Sequence, residues 1–259
     1  DAGSIKLIGT LAGGGHTLTL NDGGDNEIFD HDGTITGTLN ITLTGTTNRL
    51  LDLAGPSGSV NNLIINASST RFDLSCSGSH TVAGNLTITA GTLDTTTNNK
   101  DLTVGTDTDD GGATGHLRIK DAGELVCNSS TVIVGSVYCQ IASGSSGAGF
   151  AELNLPDSSG SFTVRGPEVS NYVFRVDNQA EINHNNGTVT FSLTAENNAS
   201  IMDVTSSQGT GVNNILVTQS VRTSNGNALE FVGSDTVKGN LTLTGNGSQS
   251  CVVDTNYNG

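Results

Sequence analysis

The densest run of oxygen ligands in the chain lies at 22–33, DGGDNEIFDHDG, where Asp22, Asp25, Asp30 and Asp32 are interleaved with glycine and asparagine. Hard cations such as Ca²⁺ take carboxylate and amide oxygens, and glycine lets a loop wind sharply enough to bring them together. The run lacks the regular odd-numbered positions and the terminal Glu of an EF-hand. The four aspartates are therefore candidate calcium ligands in an irregular loop, set against the plainer reading of a solvated acidic loop, and the chain calls for no other cofactor.

A second cluster, Asp107, Asp109 and Asp110, leads into His116, Arg118 and Lys120. Glycoside hydrolysis needs two carboxyls flanking the scissile bond, whereas adjacent aspartates on a strand point to opposite faces. His16, His80 and His184 are isolated, and no Ser-His-Asp order or GxSxG elbow can be assembled around them. They read as residues of polar strand faces. No catalytic residue is assigned. Cys76, Cys127, Cys139 and Cys251 have neither CxxC spacing nor a paired histidine, which argues against zinc. Cys127 and Cys139 are the pair placed to be joined, on neighbouring alternating runs, but small buried hydrophobes are the better reading of the cysteines.

These residues must be held by strands. Residues 81–105, TVAGNLTITAGTLDTTTNNKDLTVG, contain two short runs of strict apolar and polar alternation separated by Gly, Asn and Thr. That is the period of a strand with one buried face, and similar runs recur from Ile5 to Val253 with turn residues between them. Helical periodicity is absent. Self-similarity separates a solenoid from a sandwich. The phrase VNNLII at 60–65 returns as VNNILV at 212–217, and VAGNLTIT at 82–89 returns as VKGNLTLT at 237–244. Asn40, Asn62 and Asn85 lie 22 and 23 residues apart, and Asn214 and Asn240 lie 26 apart. Such spacing fits one coil of a parallel β-solenoid. The expected fold is all-β, a parallel β-helix of roughly ten coils with a period of about 22–26 residues. It forms one domain over 1–259, with irregular coils at 107–167; a linker between two solenoid halves is the alternative. The asparagines that open the strands are expected to stack amide on amide at a shared corner.

Composition narrows the partners. A formal charge of -15 repels phosphate, and the sequence shows no basic cluster, so nucleic acid and anionic membrane are poor partners. No apolar run reaches the roughly 20 residues of a membrane helix, so no membrane insertion is expected. The chain opens on Asp1, not Met, as a processed product, a fragment or an incompletely numbered chain would. Thr-x-Thr recurs, as at Thr87/Thr89 and Thr242/Thr244, and stacked coils could align these into a flat threonine array.

Two resemblances bear on function. The Asp-Asp, Gly-His and Arg-Ile-Lys fragments around 109–120 resemble pieces of the polygalacturonase signature; in that family they are spread over several coils, whereas here they fall within a dozen residues. The phrase GNLTITAGTLD at 84–94, partly echoed near the C-terminus, resembles the repeats of β-solenoid segments in phage fibres and other virion surface proteins and in large bacterial adhesins. That likeness implies an elongated structural or adhesive protein, extracellular or on a virion surface, without catalysis. Neither end shows an obvious cap, so self-association into a trimer or filament, or continuation into a longer chain, is expected. A cell-surface glycan is a further possible partner. The alternatives are a polysaccharide-active β-helix enzyme and a carbohydrate- or ice-binding module, the former weakened for want of a paired-carboxylate site and the sugar-binding version by the scarcity of aromatics.

Overall fold

The computed structural model describes residues 3–22, 25–96, 98–105, 115–141, 149–166, 172–193, 201–205, 208–219, 229–232, 237–244 and 253–257. Its described residues are all-β without helices, and every pairing between named strands is parallel. The chain winds as a β-solenoid with three faces. Face 1 holds Thr17–Asn21, Asn40–Thr44, the first halves of Asn62–Leu74, Leu86–Asp94 and His116–Val126, and then Ser136–Gln140, Tyr172–Val176, Ile201–Val204, Leu229–Val232 and Val253–Tyr257. Face 2 holds Ile5–Leu7, Glu27–His31 and Arg49–Leu51, the second halves of the three long strands, and then Glu152–Asn154, Glu181–Asn183 and Gln208–Gly209. Faces 1 and 2 join into one 16-stranded sheet because the long strands bend through both. The bends fall at Ser69, Gly91 and Asp121, all with positive φ.

Face 3 is a seven-stranded sheet of His80–Val82, Leu102–Val104, Thr131–Val134, Ser161–Val164, Thr188–Leu193, Asn214–Gln219 and Leu241–Thr244. Before it, this face is reduced to the pair Thr10–Ala12 and Thr34–Thr36 and isolated bridges. The solenoid therefore runs through about seven turns with a complete third face, not the roughly ten expected. The period is not constant. Register pairs Leu63 with Leu86 across 23 residues, Leu86 with Leu117 across 31, Leu117 with Val137 across 20, and Val137 with Phe174 across 37. Insertions at corners lengthen a coil without adding a rung, so no single spacing describes the winding, and face 1 carries ten rungs where the third face carries seven.

The core is a set of in-register columns. On face 1, Leu18, Ile41, Leu63, Leu86, Leu117, Val137, Phe174, Met202 and Phe231 stack in order. Beside them run Leu20, Leu43, Ile65, Ile88, Ile119, Cys139, Val176 and Val204. Cys139 thus fills an aliphatic position, and it and Cys127 are buried free thiols, as read from the sequence. Each fully buried Leu, Ile, Val or Phe contributes about 1.5–3 kcal/mol relative to exposure. Phe174 bridges two others edge-on, with ring centroids 6.4 Å from Phe162 and 6.0 Å from Phe191, a geometry that aromatic quadrupoles favour.

Candidate functional site

The four candidate calcium ligands do not converge as a set. Asp22 turns to the next coil, where its carboxylate accepts hydrogen bonds from Thr46 N (2.7 Å), Thr46 Oγ1 (2.8 Å) and Thr47 N (3.0 Å). These bonds hold its pKa below the usual carboxylate range. Asp25 accepts from Ser4 Oγ at 3.2 Å. Asp30 and Asp32 do meet, on the ammonium of Lys6, which binds Asp30 and lies 2.7 Å from Asp32. Register explains this: Lys6 pairs directly with Asp30 on neighbouring strands of face 2. The positive charge at that corner is supplied by a side chain one coil earlier, which the local spacing of the aspartates cannot reveal.

A buried polar corner lies nearby. Four consecutive amides of residues 52–55 are taken up in turn: Asp52 N by Phe29 O (2.8 Å), Leu53 N by His80 Nδ1 (3.1 Å), Ala54 N by Asp52 Oδ1 (2.8 Å) and Gly55 N by His31 Nδ1 (3.1 Å). Two histidines, one from the coil before and one from the coil after, clamp the middle coil. Both are buried, with their pKa values pushed below the ordinary value chiefly by desolvation. His80 therefore does not belong to a polar strand face, as its sequence setting implied. It faces inward at the head of the column Leu102, Val132, Phe162, Val189 and Ile215 on face 3.

The asparagine ladder forms in part, amide on amide at its first rung and amide oxygen to backbone N–H above it. Asn40 Oδ1 accepts from Asn61 Nδ2 (3.1 Å) and Asn62 Nδ2 (2.9 Å), Asn62 Oδ1 accepts from Asn85 N (2.8 Å), and Asn85 Oδ1 accepts from His116 N (3.0 Å). His116 closes the ladder through Nδ1 at 2.6 Å from Ser136 Oγ. His116, read beside the Asp107, Asp109 and Asp110 cluster, thus takes part in the hydrogen bonding of this corner. Asn214 and Asn240 repeat the contact at 2.9 Å, but they open strands of face 3, whereas Asn62 and Asn85 open strands of face 1. Asparagines expected to share one corner occupy two.

One array escaped the sequence reading. On face 2, Glu124 pairs with Glu152 and Glu152 with Glu181 in strict register, spaced 28 and 29 residues apart. Asn154 Nδ2 donates to Glu124 Oε1 and Glu152 Oε1, both at 2.9 Å, and Asn183 Nδ2 donates to Glu152 Oε1 (3.2 Å) and Glu181 Oε1 (3.1 Å). Burial, with Glu124 and Glu181 on either side, raises the pKa of Glu152 above the usual carboxylate range. A signal was present: AELN at 151–154 returns as AEIN at 180–183. On face 1, Arg118, Tyr138 and Arg175 also share a column, and the Arg175 guanidinium lies 5.2 Å from the Tyr138 ring centroid and 5.0 Å from that of Tyr172. The two arginines stand two rungs apart with Tyr138 between them. Lys120 lies on the same strand as Arg118.

The Thr-x-Thr pairs do not align into one array: Thr87 stacks with Thr42, Ile64 and Arg118 on face 1, whereas Thr190 and Thr242 lie on face 3. Thr81, Thr103, Ile133, Thr163, Thr190, Leu216 and Thr242 form one outward column of face 3. Asp107, Asp109, Asp110 and Cys251 lie outside the described residues. Among the described residues no helix is long and apolar enough to cross a membrane. No family model matches the chain, and comparison with curated proteins and with solved structures gave no match.

Proposed function

We propose that this chain is a structural or adhesive rod that self-associates into a fibre or filament at a cell exterior or virion surface, without catalysis of its own. The observation that carries this reading is the unbroken sheet of faces 1 and 2, whose rungs are joined by backbone ladders and in-register apolar columns. A stack of this kind resists bending along its axis because each coil is bonded to the next. Its first and last rungs present strand edges: among the described strands, Ile5–Leu7 pairs with Glu27–His31 alone, and Val253–Tyr257 with Leu229–Val232 alone. Such edges template pairing, with another copy or with further coils of a longer chain. Negative-stain microscopy combined with light scattering tests the reading. Rods that lengthen or bundle with concentration support it, and a monomer at all concentrations overturns it.

A second reading, a polysaccharide-active β-helix enzyme, is favoured by the Glu124, Glu152 and Glu181 row. Strand spacing of about 4.8 Å sets neighbouring carboxylates near the separation that retaining glycosidases use, and the middle group has the raised pKa of a general acid. Release of reducing ends or unsaturated products from polysaccharides, abolished by Glu152→Gln, would establish it.

A further inference from the structure

We propose that His80 is a proton-sensitive latch on the corner at 52–55, and that the coils it joins loosen when its imidazole takes up a proton. His80 is fully buried in a column whose other members are Leu, Val, Phe and Ile. Its Nδ1 accepts the Leu53 N–H from the preceding coil at 3.1 Å. A neutral imidazole that accepts at Nδ1 carries its hydrogen on Nε2, and Nε2 has no hydrogen-bond partner among the described residues. A second proton can only go to Nδ1. That converts the acceptor into a donor, sets it against the Leu53 N–H, and places a charge in an apolar column.

The surrounding groups determine the direction. The Asp52 carboxylate on the preceding coil lies 3.9 Å from Nδ1 and favours the cation, as do the Ser75 backbone and, on the following coil, Asp101; Lys100 opposes it. Asp52 Oδ1 is already engaged by Ala54 N. Desolvation outweighs these attractions, so the folded pKa lies below the ordinary 6.5. A histidine whose pKa is lowered by folding contributes stability that is present above the unfolded value and is lost as pH falls through the folded one.

Amide hydrogen exchange at Leu53, read by NMR on the full chain and corrected for the intrinsic pH dependence of exchange, tests the latch. The corner-opening equilibrium is expected to rise about tenfold per pH unit below about 6.5, until the His80 ring reaches its own midpoint. In His80→Gln the slope is expected to fall to the part that His31 contributes through Gly55 N, and the curve to flatten once His31 is also replaced by Gln. A flat curve in the unaltered chain, a ring midpoint at or above 6.5, or an unchanged slope in His80→Gln overturns the proposal. Should His80→Gln not fold, the ring titration and the Leu53 curve of the unaltered chain decide between the outcomes.

Discussion

Asn62 Oδ1 accepts the backbone N–H of Asn85 at 2.8 Å. The same bond recurs at the other end of the solenoid between Asn214 and Asn240, and its surroundings recur with it. Gly84 N donates to Asn61 O at 2.6 Å and Gly239 N to Asn213 O at 2.8 Å, while the preceding valines form parallel bridges, Val60 with Val82 and Val212 with Val237. The repeated phrase encodes a corner and the strand that leaves it, and the solenoid uses that unit on whichever face the coil has reached.

Replacing Asn62 by Ala removes the acceptor of a half-buried amide and should cost about 1–3 kcal/mol. Asn214→Ala should cost less, because the Asn240 amide it serves is exposed and water can replace the lost acceptor. Urea unfolding of both variants is the measurement, and a midpoint unchanged in either would mean that its amide finds water instead.

Gly84→Ala should destabilise by about 1–3 kcal/mol. A β-carbon there would stand 2.6 Å from both Asn61 O and Asn62 Oδ1, and at Gly239 it would meet Asn213 and Asn214 in the same way. Thermal melts of the two alanine variants should fall together.

Truncating Phe174 to Ala should cost about 3–5 kcal/mol, since two edge-on aromatic contacts and a fully buried side chain are lost. Phe174→Leu should recover much of this, because Leu fills equivalent places in the same column at Leu63, Leu86 and Leu117. Denaturant midpoints would rank the three proteins.

Glu152 carries a pH signature opposite to that of His80. Its folded pKa is raised, so its contribution is greatest below the unfolded carboxyl value and declines as pH rises through the folded one. Glu152→Gln should flatten that decline and stabilise the chain at pH 7 by less than about 1 kcal/mol, since the side chain is half-exposed and screened. Unfolding midpoints of both proteins from pH 4.5 to 7.5 provide the comparison.

Thiol labelling should divide the cysteines by burial. Burial pushes Cys127 and Cys139 up strongly, and burial together with the Asp52 carboxylate pushes Cys76 up to about 11. At neutral pH only exposed Cys76 should react among these three, and slowly, because thiolate is the nucleophile. Peptide mapping after native and denatured alkylation would show Cys127 and Cys139 modified only after unfolding.

The all-β class, the parallel winding, the inward and outward alternation and the asparagine corners were legible from residue order alone, because strand period and turn chemistry act over a few residues and a repeated phrase exposes the coil. Tertiary structure decided which residues meet. Lys6 reaches Asp30, His80 reaches Leu53, and Glu152 lies between Glu124 and Glu181 because coils of unequal length are brought into register. Spacing along the chain cannot supply that register when successive coils span anywhere from 20 to 37 residues, and so the candidate site came from the stacking of coils and not from any local motif.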